Sequence, residues 1–195
     1  MADEEDYGPQ GDESRHLPLE ELEAAWSRFP APPADTGRVA LIVSRRADGV
    51  RDTPQRARLS AKEGVPGDRW ARRTGDRPDM QLAVMRRDIA ELLANGQAIT
   101  LAGDNLFVDL DLSDQNLPAG SRLRVGAAVV EVSPEPHNGC RKFMGRFGND
   151  GLRFISDKAK RDQHMRGVYW TVVEAGDVAV GDSIEVLQRG ASAPA

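Results

Sequence analysis

Two stretches of this chain share one pattern, and that pattern narrows the folds open to it. Residues 119–132 read A-G-S-R-L-R-V-G-A-A-V-V-E-V, and residues 175–186 read A-G-D-V-A-V-G-D-S-I-E-V. Each runs Ala-Gly, then Val-Gly, then a β-branched stretch that closes on Glu-Val. Glycine at such points makes sharp turns between short strands, the grammar of small β-barrels. Two copies are too few and too far apart for a solenoid. Gly120, Gly126, Gly176 and Gly181 are expected at positive φ, where alanine would cost more than about 1 kcal/mol.

The rest of the chain fits around those units. Its 195 residues and 39% hydrophobic content suit one core with tails. Residues 1–15 are polar, mostly acidic, and expected to be disordered. Residues 16–36 hold a helix, with Leu19, Leu22, Trp26 and Phe29 on one face, and a proline-rich connector. The domain proper is expected over 37–188, with a polar tail over 189–195. Strands are predicted at 39–43, 57–59, 80–85 and 167–174 from apolar or β-branched runs. A strand broken by a Gly-Asp-Asn turn is predicted over 99–110. Asp88 is the predicted N-cap of a helix that Gly96 stops, and a helical segment is expected near 151–161. The fold class is mainly β with a few helices, α+β overall.

The net charge of −5, much of it in the first fourteen residues, argues against general nucleic-acid affinity. No apolar run approaches the roughly 20 residues of a membrane span. The acidic start lacks a signal peptide's apolar core, and the single cysteine suits a reducing compartment, so a cytoplasmic protein is expected.

That cysteine, Cys140, stands in V-S-P-E-P-H-N-G-C-R-K-F-M-G-R-F, between a strand signal and a helix signal. Arg141 and Lys142 follow it, and Arg146 comes one turn later. A thiol at a helix N-terminus among cations is expected to be partly thiolate, the form that attacks sulfur, carries a persulfide or binds a soft metal. Burial as an inert cysteine is the competing reading, and the basic flanks argue against it. His137 stands three residues earlier. It either holds or shuttles the thiol's proton or simply caps a turn. The loop G-V-P-G-D-R-W-A-R-R-T-G-D-R-P offers Arg69, Arg72 and Arg73 to a phosphate or carboxylate, or to salt bridges of its own. There is no phosphate-loop motif, no G-x-G-x-x-G after a strand, and no C-x-x-C pair for zinc.

From Gly67 to Val186 the chain resembles the MOSC domain, named for the C-terminal part of molybdenum cofactor sulfurases. The resemblance rests on G-D-R-W at 67–70, M-Q-L-A-V-M, A-G-D-N-L-F-V, the first glycine unit and H-N-G-C-R-K-F-M-G-R-F-G, in that order. It is most similar to the small stand-alone bacterial members. It implies a β-barrel like the one inserted in pyruvate kinase. It also implies that Cys140 ligates molybdenum in a bound molybdenum cofactor or carries sulfur as a persulfide. Charge and proximity to the motifs make Arg69, Arg72, Arg141 and Lys142 the candidates for the molybdopterin phosphate. Asn105 keeps the family's asparagine, while Asp104 stands where relatives usually carry Glu. The pyridoxal-phosphate half of full-length sulfurases is absent, so that cofactor is not expected. Sulfur would come from a cysteine desulfurase, or electrons from a separate donor protein for reduction of a small N-oxygenated substrate. A non-catalytic barrel that binds an anionic ligand or a protein partner is the alternative.

Overall fold

The computed structural model describes residues 9–46, 49–73 and 77–191. Seven strands close a barrel in the order β1 (Thr36–Ile42), β11 (Ser183–Gln188), β7 (Arg122–Val125), β8 (Ala128–Val132), β9 (Val168–Glu174), β5 (Leu82–Arg86) and β6 (Leu106–Asp109), which returns to β1. Closure removes the open edges that a sheet of this size would otherwise expose. Every neighbouring pair is antiparallel except β5 and β6. A parallel pair needs a crossover, and α3 (Arg87–Ala94) supplies it. Outside the barrel, β2 (Ser44–Arg45) pairs with β3 (Arg51–Asp52), and β4 (Arg56–Leu59) with β10 (Gly176–Ala179).

The two glycine units meet in space. The first is the β7–β8 hairpin and the second is β10–β11, with β11 paired to β7. Gly126 donates its amide to the Ser183 carbonyl at 3.1 Å, and Ala127 to Asp177 at 2.9 Å. Gly120, Gly126 and Gly181 have φ of 83°, 55° and 92°. Gly176 does not have positive φ; it is needed for a different reason. A Cβ there would lie 2.2 Å from the Ala127 carbonyl carbon, because two backbones cross with no room for a side chain.

β5 explains why M-Q-L-A-V-M is so continuously apolar. All five of its residues are buried. Leu82 and Val84 enter the barrel core, and Met85 packs into a second core beneath the helices. β6 does the same, with Leu106 and Val108 inward and Phe107 outward. The second core joins the barrel to α1 (Leu19–Trp26), α3 and α4 (Arg141–Ile155). Each large apolar side chain buried this way contributes about 1.5–3 kcal/mol. The remaining helix, α2 (Trp70–Arg73), follows the G-D-R motif. Of the described residues, no helix is long and apolar enough to cross a membrane.

Several expectations are corrected. Residues 99–102 form a 3-10 turn, Ile99–Ala102, rather than a strand, and only the second half of that stretch is β. The helix expected near 151–161 starts ten residues earlier, at Arg141, and bends sharply at Gly148, with φ 77° and ψ 171°. α3 starts one residue before Asp88, which caps nothing beyond its neighbourhood and pairs with Arg86. Within residues 9–15, Asp12 caps a 3-10 turn, Glu13–Arg15, and the Pro9 carbonyl accepts a hydrogen bond from Arg146 at 3.2 Å. Beyond β11, Arg189 bonds Asp35 at 2.7 Å and Gly190 bonds Ser121 at 2.9 Å. Residues 1–8 and 192–195, and the Arg73 side chain, lie outside the described residues.

Candidate functional site

The 3-10 turn Ile99–Ala102 ends in Gly103, Asp104 and Asn105 before β6 begins, and this corner is the hub of the site. A helical end leaves carbonyls unsatisfied, and three arginines from three distant segments take them here. Arg146 of α4 donates to the Leu101 carbonyl at 2.9 Å, Arg166 to Ala102 at 3.2 Å, and Arg45 of β2 to Gly103 at 3.0 Å. Gly103 has φ 84°, and a Cβ on it would lie 2.9 Å from the Arg146 guanidinium. Backbone conformation and close approach both demand glycine there.

The two polar side chains of the corner are fully buried. Both Asp104 oxygens accept from Arg166, at 2.9 and 2.8 Å, and the Arg166 guanidinium lies 4.9 Å from the Phe143 ring centre. Burial pushes the Asp104 carboxyl above its ordinary value, against the pull of Arg166. Asn105 spends its whole amide internally. Its Oδ1 accepts from the Ala83 amide at 3.1 Å, and its Nδ2 donates to the Val43 carbonyl at 3.2 Å and to Asp68 at 2.9 Å. Asp68, from the G-D-R-W motif, also takes two side-chain bonds from Arg45, both 2.9 Å, and the Trp70 amide at 2.8 Å. Burial pushes Asp68 up, but the bonds and charge of Arg45 outweigh it and hold the carboxyl below its ordinary value.

Cations gather around this frame. Arg51 on β3 donates Nη1 to the Gly49 carbonyl at 3.1 Å, while its Nε and Nη2 are buried and find no partner among the described residues. Burial, then repulsion from Arg69, Arg146 and Arg45, lowers its pKa to about 10. Arg146 is likewise lowered, first by burial; Cys140 and Asp104 favour its charge while Arg69 and Arg166 oppose it. Among the described residues, Arg45, Arg51, Arg69, Arg146 and Arg166 thus gather around two buried carboxylates, Asp68 and Asp104.

Cys140 is exposed and is the N-cap residue of α4. Its carbonyl accepts the first helical amides, Phe143 at 2.9 Å and Met144 at 3.1 Å, and its side chain makes no capping bond. Cys140 thus stands exposed at the start of the helix that also carries Arg146.

The predicted residues separate clearly. Arg69 is half-buried and belongs to the cationic cluster, with its backbone amide on the Arg45 carbonyl at 2.7 Å. Arg141 is exposed beside Cys140, Lys142 is half-buried beside it, and Arg72 is exposed on α2. Asn105 is interior and holds Asp68. His137 is also interior, its side chain 6% exposed. Its ring lies 4.3 Å from that of Tyr169, and its Nδ1 is 3.6 Å from Asp104. Burial, then the charges of Arg166 and Arg45, hold His137 well below the ordinary imidazole value, so it is neutral near pH 7. Its near neighbours make it a companion of Asp104. Sequence reasoning left Arg45, Arg51, Asp68 and Arg166 unassigned. A conspicuous signal existed only for Asp68, the acid inside G-D-R-W; an arginine on a two-residue strand looks like any surface arginine.

Comparison with known proteins agrees with this architecture. The family model described as the MOSC domain matches residues 68–185. The uncharacterized protein YflK of Bacillus subtilis is 32% identical over 100 residues, 51% of this chain but only 42% of YflK's length. Among solved structures, YuaD from Bacillus subtilis superposes with a TM-score of 0.58 at 17% identity, covering 77% of this chain and 95% of YuaD. YiiM from Escherichia coli gives a TM-score of 0.51 at 20% identity, over 79% of this chain and 71% of YiiM. At those identities the structural likeness is one of fold. Arg45 and Arg51 fall outside the matched region, and Asp68 is its first residue.

Proposed function

This chain belongs to the MOSC domain family, and we propose that it holds a molybdenum cofactor, with the cofactor's phosphate on the Arg51–Arg69–Arg146 cluster and its metal facing Cys140. The observation that carries this reading is Arg51, a guanidinium with two buried, unpartnered nitrogens among like charges. A phosphate dianion would relieve that repulsion and accept those donors. The residues fit the group chemically: hard cations for the phosphate and one exposed soft sulfur for the metal. When bound, the cofactor supplies the redox or sulfur chemistry. The chain's own residues bind and orient. Arg146 links the Leu101 carbonyl to the helix that presents Cys140, and Asp68 fixes Arg45 through a bidentate pair. Asp104 and Asn105 lock the corner from inside.

The exposure of Cys140 favours a second reading, a sulfur carrier, since a desulfurase must reach the thiol to load it. An electron-donor protein would be the corresponding partner of a reductase. Metal and pterin analysis separates the two in protein made in a molybdopterin-producing host, comparing wild type, Cys140→Ser and Arg51→Met. The cofactor reading expects near-stoichiometric molybdenum and pterin in the wild type, with metal lost in Cys140→Ser and pterin weakened in Arg51→Met. Absence of both from the wild type refutes it, and persulfide on Cys140 in that protein would favour the carrier.

A further inference from the structure

A cleft of about 750 Å³ lies on the other side of the loop that carries His137. Residues 133–139 form one wall and residues 155–166 the other. That volume is in the range of small-molecule sites. Ile155, Met165 and Val168 give it an apolar floor, each less than one-tenth exposed.

The polar groups of the cleft are unevenly satisfied. Its acids are engaged: Asp114 with His164 at 2.8 Å, Glu135 with Arg77 at 3.2 Å, and Asp157 with the Ala159 amide at 3.0 Å and Lys160 at 3.4 Å. Asp162 accepts from Gln163 at 3.3 Å. Arg166 is paired with Asp104, but two other cations of the lining are not engaged. Lys158 and Arg161 are exposed in the lining and form no ion pair with any described residue. At the floor, Arg166 is 9% exposed, and its Nε is buried without a partner; the same is true of His137 Nδ1. The groups left wanting a partner thus include three cationic donors, Lys158, Arg161 and the Nε of Arg166.

We propose that this cleft binds a small organic carboxylate, its anionic head between Lys158 and Arg161 and its apolar body on Ile155, Met165 and Val168. Lys158 and Arg161 stand on the 3-10 turn Lys158–Gln163, which is anchored to the helical layer through Lys160, paired with Glu23 and 5.0 Å from the ring centres of Trp26 and Phe154. The two cations are therefore held on a fixed ledge. Gly139 lines the cleft and is followed directly by Cys140, so a ligand there would sit one residue from the thiol. Binding in the cleft does not require the cofactor.

The test is a titration of the full chain with benzoate, followed by backbone amide NMR, alongside benzamide as the neutral molecule of the same shape. Benzoate should shift Asn138, Gly139 and Ser156 saturably. Benzamide should bind about tenfold more weakly or worse, and the double variant Lys158→Met/Arg161→Met should lose a similar factor. Lys158→Arg should retain binding. Arg51→Met and Cys140→Ser should leave it unchanged, which keeps its outcome separate from that of the cofactor reading. Benzamide binding as well as benzoate, an unaffected double variant, no saturable shifts, or shifts centred on Arg51 and Arg69 would each overturn the assignment.

Discussion

Acidification should destabilise this protein through His137, by an amount that can be worked out. Imidazole in an unfolded chain titrates near 6.5. In the native state His137 is buried, faces the guanidinium groups of Arg166 and Arg45, and is also near His164. Tyr169 covers its ring, and Asp104, at 3.6 Å, is already balanced by Arg166. Its folded pKa therefore lies well below 6.5. Above about pH 6.5 both states carry a neutral ring and His137 adds no pH dependence. Below it the unfolded chain binds a proton that the native state refuses. Stability then falls by about 1.4 kcal/mol per pH unit until the folded pKa is reached. Between about pH 7 and 5.5 that is a loss of about 1 kcal/mol. Asp104 gives the opposite slope between the ordinary carboxylate pKa and its own raised one, because burial makes the native state bind that proton first. Urea melts across this range, wild type against His137→Gln, isolate the effect, since His16, His164 and the carboxylates are common to both. The variant should lack the extra slope. A wild-type-minus-variant difference that stays constant with pH would refute the buried, neutral histidine.

Three further outcomes are expected. Gly176→Ala should cost more than Gly120→Ala or Gly181→Ala, because the first drives a Cβ into the Ala127 backbone while nothing lies within 4 Å of the others; in thermal melts the latter two should each lose about 1–2 kcal/mol, and equal losses at all three positions would refute the distinction. Asn105→Ala leaves the Ala83 amide and the Val43 carbonyl without their side-chain partner and takes a donor from Asp68, so denaturant unfolding should show a loss of about 3 kcal/mol. Phe107→Ala, at a fully buried position between the barrel and the helices, should cost about 3–5 kcal/mol in the same assay.

Much of the barrel was legible in the chain because it is written locally. The turns at Gly120, Gly126 and Gly181 need positive φ, and a pattern of Gly after Ala or Val between short apolar runs announces that directly. The doubly buried β5 was likewise visible as an unbroken apolar run, since a strand covered on both faces has no polar alternation. The exposed thiol at a helix start followed from its basic flanks and the motif around it.

What tertiary structure alone decided was the company each polar side chain keeps. Arg45, Arg146 and Arg166 stand on three separate segments, and only the closed fold brings them to the carbonyls of the Asp104–Asn105 corner. Local sequence sets backbone torsions and the faces of strands and helices. It does not encode which distant carbonyl an arginine will satisfy. For the same reason the sequence left His137 open, as a proton partner for Cys140 or a turn cap, and the fold seats it against Asp104 and Tyr169. Gly176 shows the point in its smallest form: its pattern predicted a turn torsion, but its necessity comes from a backbone almost fifty residues earlier in the chain that passes too close for a methyl group.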